Sequence, residues 1–302
     1  MKKLLWRTAP VLFTGLFIGL FTGCSRSENL SESSEYITQV FEYVYAPGQH
    51  SALAKKQDAV HFTGAPSDDV LLGGFGGYII GGFDHDVPNV DGEYDFEVFS
   101  SGFSPEPAIV YVMADENGNG LPDDEWYELR GNLFGREQTI RDYRLTYYKP
   151  VGAANIRWAD NWGNSGELKA GYAAGKAETQ PTANWWWSET EGNEITFTGT
   201  RLPDAYVNRS DDPSKENWEV PQGLFLWGYA ENNHGEDYVF HQELKKHGNQ
   251  LDISNAVDRA GNPVKLSAIR FIKVQTAVFQ QAGWLNEVSS EVQGARDLHF
   301  EK

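Results

Sequence analysis

The amino-acid sequence predicts an all-β protein folded as an antiparallel β-sandwich. Three observations support this prediction. The chain contains 31 glycines, 13 prolines and 14% aromatic residues, a composition typical of many short strands joined by turns. Short apolar or alternating runs recur between clusters of Gly, Pro, Asn and Asp. Hardly any segment repeats its apolar residues with the 3.6-residue period of an amphipathic helix.

Six of these runs are the predicted strands. Each combines β-branched or aromatic residues with turn-forming residues at its ends. They are "YDFEVFS" from Tyr94, "AIVYVMA" from Ala108, "YRLTYYK" from Tyr143, "EITFTGT" from Glu194, "GLFLWGYA" from Gly223 and "IRFIKVQT" from Ile269.

The first residues form an export signal. Lys2, Lys3 and Arg7 make a basic segment, and the apolar run "APVLFTGLFIGLFTG" follows it. This run is too short and wrongly flanked for a membrane-spanning helix. Cys24, the single cysteine of the chain, stands directly after the run. We interpret residues 1–23 as a bacterial lipoprotein signal peptide and Cys24 as the lipidated residue, with an ordinary secretory signal as the alternative.

The mature chain is strongly acidic. Cleavage after residue 23 removes three positive charges and takes the net charge from −18 to −21. Such a chain repels nucleic acid and anionic lipid headgroups, so the composition argues against nucleic-acid binding and makes lipid chains the expected membrane anchor. The Ser-rich, charged stretch after Cys24 predicts a flexible tether over residues 24–40. Residues 41–302 are then one predicted β-sandwich domain.

The composition changes between residues 150 and 221. This stretch is rich in Gly, Ala, Asn and Trp, and apart from "EITFTGT" it predicts no clear strand. Because it lacks the apolar residues for a core of its own, we expect a loop-rich insertion rather than a second domain. Exposed indole rings would offer flat apolar faces to a sugar or another planar ligand, whereas the alternative is that they pack the loops onto the sandwich. The candidate ligand-binding residues are Trp158, Trp162, Trp185, Trp186 and Trp187.

An acidic stretch, "ADENGNGLPDDEWYEL", has the spacing of a calcium-binding loop. If Asp115 is position 1, Asn117 and Asn119 fall at positions 3 and 5, and Gly120 at position 6 permits the sharp turn. Hard oxygen ligands without His or Cys favour Ca²⁺ over zinc or copper. The candidate ligands are Asp115, Asn117, Asn119, Leu121 through its carbonyl, Asp123, Asp124 and Glu125.

This loop departs from an EF-hand in two ways. Trp126 stands at position 12, where an EF-hand has a bidentate glutamate, and the flanking runs predict strands instead of helices. We therefore expect a calcium loop that joins two strands and stiffens the domain. The alternative is a hairpin turn held by hydrogen bonds between side chains and backbone.

Other local patterns nominate no catalytic residue. The seven histidines form no zinc-binding pattern, and neither a phosphate-binding glycine loop nor a G-x-S-x-G motif is present. A catalytic pair of carboxylates stays open, because such a pair is defined by its separation in space and the chain has 43 acidic residues. Asp84, Asp86, Asp91 and Asp95 are either acidic turn residues or a second cation site.

Two long blocks carry a resemblance to a known family. They are "GGFGGYIIGGFDHDVPNVDGEYDFEVFSSGFSPEPAIVYVMADENGNGLPDDEWYELRG" and "LDISNAVDRAGNPVKLSAIRFIKVQTAVFQQAGWLNEVSSEVQGARDLHF". Together they resemble the Bacteroidota cell-surface lipoproteins known as cell surface proteins or PKD-domain proteins. The resemblance implies a jelly-roll sandwich of the galactose-binding-like kind, with a structural Ca²⁺. It also implies an outer-membrane lipoprotein, on the cell surface or facing the periplasm, near TonB-dependent transporters and cobalamin uptake.

These expectations combine into one functional hypothesis with two alternatives. The first is a noncatalytic surface lipoprotein that binds a glycan or a cobamide and passes it to a TonB-dependent transporter. The second is a carbohydrate-active hydrolase whose carboxylates the sequence does not identify. The third is an adhesion or scaffold module. A shallow aromatic platform would favour the first, a deep pocket with two converging carboxylates the second, and a flat polar surface the third.

Overall fold

A computed structural model describes residues 33–48, 54–102, 104–151, 154–168, 192–212, 215–283 and 287–301. The described strands, numbered in chain order, are β1 Gln39–Val44, β2 Val70–Leu71, β3 Tyr78–Pro88, β4 Phe96–Ser100, β5 Ala108–Met113, β6 Tyr127–Leu129, β7 Ile140–Tyr148, β8 Ile156–Asp160, β9 Ser165–Leu168, β10 Glu194–Arg201, β11 Val207–Asn208, β12 Trp218–Glu219, β13 Tyr238–His241, β14 Lys246–Leu251, β15 Ala256–Val257, β16 Ala268–Thr276 and β17 Glu291–Asp297. Two 3₁₀ helices, Lys56–Phe62 and Ile253–Asn255, complete the described elements. No helix among these residues is long and apolar enough to cross a membrane.

Two antiparallel sheets form the sandwich. One has the strand order β1-β3-β16-β5-β6-β15, and the other has the order β13-β14-β4-β17-β2. The chain crosses from one sheet to the other at each step from β1 to β5, and again between β14 and β15 and between β16 and β17. The fold is therefore an all-β antiparallel sandwich, as the sequence predicts.

The main core lies between these two sheets, and the six-stranded sheet is covered on its other face as well. Along β5, Val110 and Val112 belong to the main core, whereas Ile109 packs with Tyr206 and Tyr229 in a separate cluster. Successive side chains of a strand point to opposite faces, so one strand serves both layers. This double burial explains the nearly continuous apolar sequence of β5.

A four-stranded sheet, in the order β10-β7-β8-β9, lies partly inside the predicted insertion. On β7 the alternate residues Tyr143, Leu145 and Tyr147 are buried, the period of two that a half-covered strand shows. They pack with Phe75 and Phe197 in their own cluster. The sequence did not predict β8 and β9, so residues 150–221 contain more regular structure than expected.

Five of the six predicted strands are present, as β4, β5, β7, β10 and β16. The sixth prediction, "GLFLWGYA", is wrong, because residues 223–230 form turns and bends that end in a single bridge at Ala230. Gly223 and Gly228 have positive φ angles of 76° and 86°, which interrupt an extended strand. A Cβ on Gly228 would lie 2.5 Å from the Cα of Gly131, so glycine is required at this close approach.

Candidate functional site

The acidic loop of residues 115–125 joins β5 to β6 and is held by its own side chains. The Asp115 carboxylate accepts hydrogen bonds from the backbone N–H groups of Asn119, at 3.1 Å, and Gly120, at 2.9 Å. The side-chain amides of Asn117 and Asn119 each donate to Asp123 at 3.0 Å. These donors hold the pKa of the Asp123 carboxyl below its usual range. The loop therefore gathers carboxylate and amide groups at one place.

Of the remaining predicted ligands, two belong to this hydrogen-bond network and one does not. Asp124 joins the same network, since its carboxylate accepts from the backbone of Glu116 at 2.9 Å. The Leu121 carbonyl accepts from the backbone N–H of Asp123, also at 2.9 Å. The Glu125 carboxylate turns away and accepts from the Tyr127 hydroxyl at 3.3 Å. The loop thus brings six of the seven predicted residues into one network, and calcium binding stays a prediction.

The predicted tryptophan platform is described only in part. Trp158 on β8 packs edge-on against Phe279, with ring centroids 4.9 Å apart, so it helps to anchor the four-stranded sheet. Trp162, in the turn between β8 and β9, is 65% exposed. Trp185, Trp186 and Trp187 lie outside the described residues. The role of these tryptophans in binding a ligand remains a prediction.

The four aspartates of residues 84–95 have separate surroundings. Asp84 accepts from Ser33 at 2.6 Å, and Asp86 pairs with Arg270 at 3.3 Å. Asp95 is fully buried and accepts from the backbone N–H groups of Val90 and Ile253, both at 2.8 Å. Asp91 is exposed. The bonded members of this set tie the sandwich together and do not converge on one point.

A cleft of about 460 Å³ is lined by residues 92–94, 129–130, 227–228, 236–237, 250–252 and 255. Two aromatic side chains line it, Tyr94, which is 39% exposed, and the half-buried Trp227. Around them the cleft presents polar side chains of both charges. The charged lining residues are Glu93, Arg130, Glu236, Asp237 and Asp252.

Arg130 is the basic side chain of this cleft. Its Nε donates to Asn255 Oδ1 at 3.3 Å, and its two terminal nitrogens have no partner among the described residues. Burial, followed by the charges of Asp237, Glu236 and Asp252, raises the pKa of Tyr94. The phenol therefore faces a carboxylate-rich wall, with a guanidinium free to donate hydrogen bonds.

Asp237 fixes the wall of this cleft through hydrogen bonds to neighbouring segments. Its carboxylate accepts from the backbone N–H of Gly228 and from the side-chain amide of Asn232, both at 2.7 Å. It also accepts from Asn249 at 3.1 Å. These bonds fix the turn that carries Trp227 against β14, so the aromatic ring stands on a rigid support.

A second cleft, of about 350 Å³, contains a half-buried cation, Lys273. The Lys273 Nζ lies 4.4 Å from the ring centroid of Tyr78 and 5.2 Å from that of Tyr111. Burial lowers the pKa of Lys273 to about 8, while the charge of Glu42 opposes the shift. Beside it, Glu128 is held by Thr200 at 2.6 Å and Arg141 at 3.4 Å.

Three glutamates from distant parts of the chain meet at one end of the sandwich. Glu106 precedes β5, Glu231 follows the bridge at Ala230, and Glu291 begins β17. An oxygen atom of each lies within 4.8 Å of an oxygen of the others. This is the one such group of acidic, His or Cys side chains found among the described residues.

The surroundings of these three glutamates, the glutamate cluster, offer few donors. Glu231 accepts from the Ser101 hydroxyl and from the backbone N–H of Glu291, both at 2.6 Å. Glu106 accepts from the backbone N–H of Ser289 at 3.3 Å. Burial is the largest cause that raises the pKa of each carboxyl, and mutual repulsion adds to it for Glu106 and Glu231. The pKa of Glu291 rises to about 8, with Asp69 as the second cause.

Comparison of the chain with protein-family models and with curated protein sequences finds no match.

Sequence reasoning missed both the Tyr94 cleft and the glutamate cluster. Glu106, Glu231 and Glu291 stand far apart in sequence, each among ordinary neighbours, so no spacing marks them. A signal does exist for Trp227, which was assigned to a strand although two glycines that bend the chain flank its segment. That turn chemistry would have predicted an exposed, ligand-accessible loop.

Proposed function

We propose that this protein is a noncatalytic, lipid-anchored cell-surface protein that binds a glycan in the cleft lined by Tyr94 and Trp227. The observation that carries the proposal is the combination, in one cleft, of two aromatic rings with a free guanidinium and several carboxylates. Sugars present flat C–H faces that stack on aromatic rings, and hydroxyl groups that both donate and accept hydrogen bonds. A cleft with this mixture suits a polyhydroxylated ring better than an apolar or a uniformly charged ligand.

The volume of the cleft limits which classes of ligand can fit. Its volume of about 460 Å³ lies within the range of about 300–1,000 Å³ for small-molecule sites. A mono- or disaccharide unit fits such a volume better than a cobamide, whose macrocycle carries a further nucleotide loop. A larger space of about 780 Å³ lies near Arg209 and Leu226, but among its lining residues Phe225 is only 4% exposed. It therefore offers little ring surface for stacking.

In this proposal, Ca²⁺ binds in the loop of residues 115–125 and stabilises the domain. The convergence of Asp115, Asn117, Asn119 and Asp123 supports it. Cys24 supplies the lipid anchor, and a TonB-dependent transporter is the proposed recipient of the ligand.

A carbohydrate-active hydrolase is the second candidate. Glu236 and Asp252 both line the Tyr94 cleft, and two carboxylates beside a bound sugar are what glycoside hydrolysis needs. The two candidates differ in whether a bound glycan is recovered intact.

The test screens the full-length chain against glycans and cobamides, and then measures each bound ligand by calorimetry. We expect glycan binding that Trp227→Ala and Tyr94→Ala each weaken by about 1–3 kcal/mol, because each ring is a contact surface. Trp162→Ala is the matched control, since that ring is exposed and remote in sequence from the cleft. The glycan affinity of this variant should equal that of the wild type.

Three outcomes would overturn the proposal. Cobamide binding without glycan binding would reassign the ligand. Release of shorter sugars, abolished by Glu236→Gln or Asp252→Asn, would establish the hydrolase. Full affinity in both Trp227→Ala and Tyr94→Ala would move the site away from this cleft, and weakening by Trp162→Ala alone would return it to the predicted tryptophan platform.

A further inference from the structure

The glutamate cluster brings three carboxyl groups together with no basic side chain beside them. Glu106, Glu231 and Glu291 approach one another within 4.8 Å, and no Lys, Arg or His side chain of the described residues forms an ion pair with them. Glu231 is fully buried, and the other two are half-buried. Buried carboxylates in such numbers require protons or a cation, because the charged form loses its hydration.

Tyr206 gives an independent indication of a ligand at this place. Its side chain is 5% exposed, and its hydroxyl makes no hydrogen bond of ordinary length and angle in the described part of the chain, although Ser104 lies near enough to lower the pKa of this phenol. The charges of Glu106, Glu231 and Glu291 all act on this phenol and, after burial, help to raise its pKa. A buried hydroxyl close to three carboxyl groups that makes no hydrogen bond is costly unless a bound group supplies one, since an unmade hydrogen bond costs about 1–3 kcal/mol.

The geometry matches a hard divalent cation. Oxygen atoms bound to one Ca²⁺ lie about 2.3–2.6 Å from it, so two of them can be at most about 5 Å apart. The 4.8 Å limit on the three glutamate oxygens agrees with this requirement. The absence of His and Cys from the group disfavours zinc and copper.

The three glutamates differ in burial. Glu106 and Glu291 are half-buried, while Glu231 is fully buried and forms the inner member of the group. The Ser101 hydroxyl and the backbone N–H of Glu291 hold Glu231 in place, each at 2.6 Å. The inner ligand is therefore fixed before an ion arrives, and the outer two can adjust.

We propose that Glu106, Glu231 and Glu291 form a second, buried Ca²⁺ site, with the Tyr206 hydroxyl directed at the ion or at a water molecule bound to it. The ion links the segment before β5, the segment after Ala230 and the first residue of β17. It thereby ties three distant parts of the sandwich together. This site is independent of the loop of residues 115–125 and of the Tyr94 cleft.

The experiment titrates Ca²⁺ into the full-length, chelator-stripped chain by calorimetry, in a background where Asp115→Asn and Asp123→Asn disable the loop. We expect one Ca²⁺ per chain to bind in this background. Adding Glu231→Gln should lower its affinity by more than about 100-fold, since it removes a charged ligand rather than a supporting group. Glu128→Gln is the matched control, a buried glutamate outside the cluster, and should leave the affinity unchanged.

Tyr206→Phe provides a variant that does not threaten folding. Because the hydroxyl makes no hydrogen bond of ordinary geometry among the described residues, its removal should leave the melting temperature in chelator unchanged or slightly raised. The same change should weaken Ca²⁺ binding by about 10-fold, the effect expected for a group that supports a metal ligand.

The proposal fails if the loop-disabled chain binds no Ca²⁺, or if Glu231→Gln binds as tightly as Glu128→Gln. Should Glu231→Gln not fold, an unchanged affinity in Tyr206→Phe would overturn it instead. Glycan binding plays no part in these measurements, so this proposal and the glycan proposal can fail separately.

Discussion

The loop of residues 115–125 and the glutamate cluster use the same chemical group in opposite surroundings. The loop acids follow one another along the chain and stand mostly in solvent, where side-chain amides and backbone N–H groups surround them. The cluster acids come from three distant segments and face one another out of water. Accordingly, the pKa of Asp123 in the loop is lowered, whereas the pKa of each cluster glutamate is raised.

This difference teaches that the number of acids in a group does not decide their behaviour. A solvated carboxylate with hydrogen-bond donors keeps its charge at little cost, and the loop would persist as a turn without any ion. A desolvated carboxylate must find a partner or remain protonated. The cluster therefore depends more strongly on its partners than the loop does.

The largest effect that tests the comparison is expected from Glu231→Ala. Measured by urea unfolding in chelator, it should lower the free energy of unfolding by about 2–3 kcal/mol, because the backbone N–H of Glu291 loses its acceptor in a buried position. Glu231→Gln is the control and should lose less, since its amide oxygen still accepts that bond. If Glu231→Ala is as stable as the wild type, the buried carboxylate contributes no more than a surface one.

A pH titration extends the comparison to a half-buried cation, Lys273. Lys273 has a pKa of about 8 in the folded chain against 10.5 for an unperturbed lysine, so between these values the unfolded chain binds more protons. Raising the pH from 8 to 9.5 should therefore stabilise the wild type relative to Lys273→Met, by up to about 2 kcal/mol. Urea unfolding at each pH measures this difference.

Two features keep this titration interpretable. Tyrosine ionisation in the unfolded chain begins to contribute at about pH 9.5, but wild type and Lys273→Met share all their tyrosines, so this contribution cancels in their difference. The exposed Lys265→Met controls for the loss of a positive charge at the surface. A difference between wild type and Lys273→Met that stays constant with pH would mean that Lys273 is as well solvated as a surface lysine.

The smallest effect is expected in the loop. In chelator, Asp115→Ala should lower the free energy of unfolding by only about 1 kcal/mol, because water can replace the carboxylate at the N–H groups of Asn119 and Gly120. With Ca²⁺ present, the same substitution should cost more and should lower the melting temperature further. Equal losses in Ca²⁺ and in chelator would identify the loop as a hydrogen-bonded turn alone.

The fold could be predicted from the sequence where the signal is local. Strands β4, β5, β7, β10 and β16 were predicted because their apolar runs are bounded by turn residues. The prediction failed at residues 223–230, where positive φ angles at Gly223 and Gly228 override the apolar content. It also missed β8 and β9, whose mixed sequences form strands because they pair with β7.

The same distinction between local and long-range signals applies to the candidate sites. The spacing of Asp115, Asn117 and Asn119 locates the loop network because its members are neighbours in the chain. The Tyr94 cleft joins residues from β6, the segment around Trp227 and the end of β14, and no pattern along the chain connects them. Trp158, a predicted ligand residue, packs on Phe279, a contact that only the folded chain creates.

By itself the sequence determined the strand-rich fold class, the acidic charge and the loop of residues 115–125, since periodicity, composition and turn chemistry act between neighbours in the chain. Only the tertiary structure decided which acids lose their water. Glu106, Glu231 and Glu291 read as ordinary surface residues until β5 and β17 bring them together. The physical reason is that desolvation and charge repulsion depend on distance in space, which pairing between distant strands sets.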